Sequence, residues 1–136
     1  MAKLSDFKLG GENCEVSFIE TMQVKDGVEC DTYSFVGDDT QDLAIVRVTK
    51  GFKTPLQKIL QGNKTVEGFM EGKGTLVVQR EDGSINTYVM DATNANKEVE
   101  VKVGQIVQLT ASDDTDLVFY EICDPPYKDG RYENLP

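Results

Sequence analysis

The feature that most narrows what this chain can become is a period of two in its apolar residues. Lys97-Glu98-Val99-Glu100-Val101-Lys102-Val103 sets valines on one side and charges on the other. That is the alternation of a half-buried β-strand, whose successive side chains point to opposite faces. Ala44-Ile45-Val46-Arg47-Val48, Gly74-Thr75-Leu76-Val77-Val78-Gln79-Arg80 and Leu117-Val118-Phe119-Tyr120-Glu121-Ile122 are β-rich runs of strand length. Glu15-Val16-Ser17-Phe18-Ile19 and Asp31-Thr32-Tyr33-Ser34-Phe35-Val36 add two more near the N-terminus. Turn signals separate the runs: Asp26-Gly27, Gly37-Asp38-Asp39, Gly62-Asn63, Gly72-Lys73-Gly74, Glu81-Asp82-Gly83 and Asn94-Ala95-Asn96. Val77 to Val89 reads as a hairpin across Asp82-Gly83. Thr54–Gln61 supports either a helical turn or two or, entered through Pro55, an extended segment. With no linker and no repeat in 136 residues, the pattern predicts one all-β domain, an antiparallel sandwich or barrel. Its core spans roughly 14–124, with a loose N-terminal lead and a coil-like C-terminal tail over 125–136.

Composition excludes several chemistries. The chain has no histidine, which removes Ser-His-Asp and Cys-His nucleophiles, imidazole general bases and every zinc site that needs imidazole. Its net charge of −10 repels phosphate backbones and anionic lipid head groups. The densest basic spacing, Lys50, Lys53, Lys58 and Lys64, is too dilute for a nucleic-acid footprint, so neither nucleic acid nor membrane is expected as a partner. No apolar run approaches the ~18–20 residues that span a bilayer, and Met1-Ala2-Lys3-Leu4-Ser5-Asp6 lacks the apolar region of a signal peptide. The expected location is cytoplasmic. Cys14, Cys30 and Cys123 form an odd set without metal-ligand spacing, as suits reduced, mostly buried thiols. Asp113-Asp114-Thr115-Asp116 and Asp38-Asp39 with Asp42 read as solvated turns.

Two stretches resemble the cupin superfamily, whose fold is a small jelly-roll barrel. Gly51-Phe52-Lys53-Thr54-Pro55-Leu56-Gln57-Lys58, followed by Thr65-Val66-Glu67-Gly68-Phe69-Met70-Glu71-Gly72-Lys73-Gly74-Thr75-Leu76, is similar to the family's first motif: a proline-led strand, a turn, then an apolar strand ending in a Gly-x-Gly hairpin. Val99–Leu109, with Gly104, resembles the approach to the second motif. Asp124-Pro125-Pro126-Tyr127 with Gly130-Arg131 looks like the tails that follow the last strand in many cupins. The resemblance covers roughly Leu43 to Tyr127 and implies an antiparallel jelly-roll β-barrel of cupin type. It also implies pairing as a homodimer, which would cover exposed strand edges.

The departures bear on function. Metal-binding members of the family carry two histidines one residue apart on the first strand. Those positions fall here on Gln57 and Ile59, or on Lys58 and Leu60. The family's glutamate position is Thr65 in the register set by Gly72, which the count forward from Gly51 favours, or Glu67 in that set by Gly74. The third histidine's region, Thr110–Asp116, holds no imidazole. At most one of four expected ligands survives, so no metal and no other cofactor is expected.

Residues on a barrel's inner face alternate along its strands, which puts Glu67 and Phe69 on one face. Arg47, Gln57, Gln108 and Tyr120 are candidates to join them, with Lys58 as a further candidate beside Gln57. Such a mixture would hydrogen-bond a sugar or small polar metabolite while Phe69 stacks against it. The competing assignment turns Arg47 and Glu67 outward and puts Phe69 in the core. Function is accordingly read as binding a small polar or carbohydrate-like ligand without a metal. Two alternatives are a metal-independent isomerase, epimerase or lyase, with Glu67 as base and Tyr120 or Lys58 as acid, and a protein-interaction module working through strand edges and the tail. Two tyrosines and an arginine in that tail suit either covering the barrel mouth or clasping a partner.

Overall fold

The computed structural model describes residues 3–95 and 97–136. Met1 and Ala2 of the N-terminal segment read above, and Asn96 of the Asn94-Ala95-Asn96 turn, lie outside the described residues. The strands run in chain order as β1 (Asp6–Leu9), β2 (Glu12–Lys25), β3 (Val28–Phe35), β4 (Asp38–Val48), β5 (Leu56–Ile59), β6 (Lys64–Gly72), β7 (Gly74–Gln79), β8 (Ile85–Met90), β9 (Glu98–Val101), β10 (Ile106–Ala111), β11 (Leu117–Asp124) and β12 (Tyr132–Leu135). A 3-10 turn at Ala92–Asn94, capped by Asp91 accepting from the Thr93 N–H, is the single helical element among the described residues. No helix among them is long and apolar enough to cross a membrane.

Two antiparallel sheets result. The seven-stranded sheet has the order β1-β2-β3-β4-β11-β6-β9, and the five-stranded sheet β12-β5-β10-β7-β8. The alternation that defines each strand also sorts its side chains between two cores. Val28 and Cys30 on β3, Val46 and Val48 on β4, Phe69 on β6, Val99 and Val101 on β9, and Leu117 and Phe119 on β11 face the second sheet. There they meet Leu76 and Val78 of β7 and Val107, Leu109 and Ala111 of β10. Fully burying each of the valine, leucine and phenylalanine side chains contributes about 1.5–3 kcal/mol. A one-residue slip would turn the whole set outward, so the register is strongly specified.

The other face of the large sheet is buried too. Tyr33, Phe35, Leu43, Ile45, Val66, Val118 and Ile122 pack against Phe7 and Val16 of the β1–β2 hairpin. The N-terminal lead is therefore ordered rather than loose. The Leu4 N–H donates to the Tyr33 hydroxyl at 3.1 Å, and Lys3 pairs with Asp31 at 3.0 Å. The tail expected as coil is likewise structured: β12 pairs with β5 from Tyr132↔Ile59 to Leu135↔Leu56. Thr54–Gln61 takes the extended alternative, as β5. The β7–β8 hairpin forms as read, Gln79 opposite Ile85. At the β6–β7 corner Gly72 has φ +89°, and a Cβ there would stand 1.8 Å from the Asp116 carbonyl oxygen. Only glycine meets both conditions.

Candidate functional site: a cavity between the sheets

The inner faces do not close completely. They leave a cavity of about 420 Å³, within the range of small-molecule sites. Val28, Val46, Val107, Leu109, Phe119 and Met22 supply apolar wall. The polar lining comes from Glu67 on β6, Glu121 and Cys123 on β11, Cys30 on β3 and Asp42 on β4. Gln57 of β5 and Tyr132 and Asn134 of β12 add to it, with Gln23, Thr32, Thr54 and Tyr127 at its margins.

The sheet register places the two glutamates together. Glu121 lies directly opposite Glu67 on β6 and opposite Ala44 on β4. Glu67 is 1% exposed, and no donor among the described residues reaches either of its carboxylate oxygens. Its close polar neighbour is the Glu121 side chain, itself held by the Tyr132 hydroxyl at 2.7 Å and the Cys123 thiol at 3.5 Å. Two carboxylates in contact accept without donating unless one carries a proton. Burial first, and then the adjacent Glu121 charge, push the Glu67 carboxyl well above its ordinary range. The protonated form of Glu67 is thus favoured, as like charges packed together in low dielectric require.

The same burial disfavours the charged forms of the surrounding groups. It raises the Cys30 thiol to about 12, with Glu121, Asp31 and Asp42 adding to the effect. Burial raises the Cys123 thiol as well, with Glu121 next in weight. The Tyr132 phenol is pushed up first by burial and then by Glu121. Asp42 is raised by burial, against the pull of the Tyr127 N–H at 2.9 Å and of Arg131. At pH 8, where thiolate governs reactivity, a disulfide reagent should titrate one thiol, the half-buried Cys14, in the native protein and three after denaturation. Rapid native labelling of Cys30 or Cys123 would contradict this environment.

The tail completes the site through Arg131. Its guanidinium is 2% exposed and donates to the Pro125 carbonyl at 2.8 Å, the Lys64 carbonyl at 2.8 Å, the Thr65 hydroxyl at 2.9 Å and the Asp124 carbonyl at 3.4 Å. It ties the segment before β12 to the start of β6 and the end of β11. Tyr127 and Tyr132 then stack, ring centroids 5.7 Å apart, at the cavity edge.

Of the residues singled out from sequence, Gln57 and Glu67 meet in this cavity. Gln57 donates to the Asn134 side chain at 2.9 Å. Phe69 shares the Glu67 face, as read, but packs into the core between the sheets instead of lining the cavity. Four others are displaced by the strand alternation itself. Arg47 lies between inward-facing Val46 and Val48 and lines a separate recess with Lys50, Glu71 and Asp116. Lys58 follows the inward Gln57 on β5 and takes the opposite face. Gln108 falls between Val107 and Leu109, with its amide donating to the Thr54 carbonyl at 3.0 Å. Tyr120 points to the outer core, where its ring packs edge-on against Phe7 at 5.0 Å and its hydroxyl donates to Glu98. The pairing of Glu67 with Tyr120 or Lys58 as an acid is therefore not assembled. Tyr120→Phe should cost about 1 kcal/mol in urea unfolding, the value of one hydrogen bond, and leave any ligand affinity unchanged.

Asp42 corrects the reading of its segment as a solvated turn, since it lies half-buried at the cavity. Glu121 was missed, although its signal is present. On β11 it shares a face with Leu117, Phe119 and Cys123, and a lone carboxylate on an apolar face marks a buried polar group that needs a partner. Cys30, Cys123, Tyr132 and Asn134 carry no such local mark.

No protein-family model matches the chain, and no curated protein does. Solved structures do. CapF from Staphylococcus aureus, a capsular polysaccharide assembling protein, superposes with a TM-score of 0.69 at 16% identity, over 88% of this chain and 34% of its own. Bacillus subtilis oxalate decarboxylase superposes with a TM-score of 0.71 at 20% identity, over 86% of this chain and 30% of its own. This chain thus spans about a third of the length of the structures it matches. Both are cupin-fold proteins, and the likeness gives this chain the cupin jelly-roll fold. The oxalate decarboxylase has Mn(II) centres, and the residues here do not fit such a group. There is no histidine, and among the described residues no three Cys, Asp or Glu side chains converge as metal donors. The inward positions on β5 are Gln57 and Ile59, and those on β10 include Val107 and Leu109.

Proposed function

We propose that this cupin-fold chain binds a small polar, carbohydrate-like ligand in the cavity between its sheets, without a metal ion. The observation that carries the reading is the cavity's composition: apolar walls around a short polar strip of Glu67, Glu121, Gln57, Asn134 and Tyr132. Few, convergent polar groups in an apolar enclosure are what orient a small ligand. Tyr132 and Asn134 bring phenol and amide groups to the same space from β12, which supports a role for the tail in closing the site over its occupant. That CapF is a capsular polysaccharide assembling protein supports putting sugars first among the probes.

The test is a thermal-shift screen of the full chain against monosaccharides, polyols, organic acids and small amines. A ligand at 100 times its dissociation constant adds about 2.7 kcal/mol to stability, a shift of several degrees for a chain of this size. A hit that disappears in Gln57→Leu supports the reading. Silence across the whole panel overturns it.

A further inference from the structure

The polar strip of the cavity is one-sided in charge. Its titratable and charged groups are Glu67 from β6, Glu121 and Cys123 from β11, Cys30 from β3, Asp42 from β4, Tyr132 from β12 and Tyr127 from the segment before it. No lysine or arginine is among the lining residues. Arg131 influences Asp42 and Cys123, but its bonded N–H groups are spent on three carbonyls and the Thr65 hydroxyl. An anion entering this space would meet carboxylates without a counter-charge. The strip also lacks donors where they are most needed. Both oxygens of Glu67, 1% exposed and lining the cavity, accept nothing from any described donor. A buried carboxylate left so costs a large desolvation penalty unless a proton or a cation satisfies it.

We propose that the cavity takes a small ligand bearing a protonated primary amine, which seats its ammonium group between the Glu67 and Glu121 carboxylates. This rests on the reading of the cavity as a ligand site and names the ligand's chemical class. An ammonium group carries three N–H donors and no acceptor, the complement of two facing carboxylates. Its hydrogen bonds to them are charge-assisted, and so about twice as strong as neutral ones. The apolar wall of Val28, Val46, Val107, Leu109 and Phe119 accommodates a short carbon chain behind it. The exchange balances: one R–NH3+ enters and the one H+ held by Glu67 leaves for solvent, so the charge in the cavity is unchanged. Binding therefore weakens in acid, as protons compete with the ammonium group for Glu67. It weakens again in base, as the free amine loses its proton.

The experiment is isothermal calorimetry on the full chain with n-butylamine and 1,4-diaminobutane. 1,4-Butanediol and glucose serve as neutral probes and succinate as the anionic one. Each is run at pH 7 in phosphate and again in HEPES, so that buffer-dependent heat counts protons. The expected result is that at least one amine binds ten or more times tighter than the diol and the sugar, with about one proton released per ligand, and that succinate does not bind. Glu67→Gln, a neutral isostere that still donates to Glu121, should lower amine affinity at least tenfold and abolish the proton release. Glu121→Gln should do the same, which keeps the test intact if either variant folds poorly. Diol or sugar binding as tightly as the amines, amine binding without proton release, or amine binding indifferent to both variants would overturn this inference while leaving a polar-ligand site standing. No binding by any probe, neutral or charged, overturns both readings.

Discussion

Arg131→Met should lower the thermal unfolding midpoint by about 10 °C or more. The guanidinium is buried and serves four oxygens at once: the carbonyls of Lys64, Asp124 and Pro125 and the hydroxyl of Thr65. A methionine of similar length fills the space but donates nothing, and each buried acceptor left unpaired costs about 1–3 kcal/mol. Some will relax or recruit water, so a total of about 3–5 kcal/mol is expected, in line with removing one partner of a buried charged network. For a domain of this size each kcal/mol corresponds to roughly 3–5 °C. The shape of the site resists substitution as well. Gly62 has φ +119°, and a Cβ there would lie 2.6 Å from the Arg131 guanidinium carbon, so the planar group rests against bare backbone. Arg131→Lys keeps the charge but loses the planar fork and should recover less than half of the loss. Because β12 is anchored through this residue, Tyr132 and Asn134 should leave the cavity with it. Circular dichroism melts and urea titrations of the three proteins measure this. A shift below about 3 °C for the methionine variant would show that the tail is held by other means.

Glu67→Gln should make the protein more stable at pH 8 than the wild type, by about 1–3 kcal/mol, the cost of an unpaired buried polar group. The two should converge near pH 4. In the folded state the Glu67 carboxyl titrates above its ordinary value of 4.5, chiefly through burial and then through Glu121. In the unfolded chain it titrates near that ordinary value. Above pH 4.5 the native state therefore binds the extra proton, and stability falls as pH rises. The favourable contribution is whole below 4.5 and is lost as pH climbs through the folded-state value. Glutamine mimics the protonated acid and does not titrate, so the difference between the two proteins isolates this group from Asp42, which is also raised. Paired urea curves at pH 4, 6 and 8 give the slope. A wild type at least as stable as the variant at pH 8 would contradict the upward shift of Glu67, even as the same substitution is expected to weaken amine binding.

The alternation of Val99, Val101 and their charged neighbours was sufficient to place β9, and the spacing of Glu67 and Phe69 sufficient to put them on one face. The hairpin across Asp82-Gly83 was equally legible, because two-residue periodicity and turn chemistry act within a few residues. The glycine and proline pattern from Gly51 to Gly74 carried the resemblance to the cupin fold that the solved structures bear out. Face assignment across strands was harder. Arg47, Lys58, Gln108 and Tyr120 each sit one residue from an inward-facing neighbour, and a single-residue step in a strand exchanges cavity for outer surface.

The sequence by itself determined that this chain is an all-β domain, an antiparallel sandwich or barrel, without a single histidine. Composition and period two are local properties, written in each segment. Only the tertiary structure decided that Glu67 meets Glu121, that Asp42 turns toward the cavity, and that the last residues form a strand held by Arg131. Those facts depend on β11 lying between β4 and β6, and on Arg131 reaching Thr65 across a separation of 66 residues. Such contacts form because two sheets must bury their apolar faces against each other. The upward shift of the Glu67 carboxyl follows from that burial, which no stretch of sequence states.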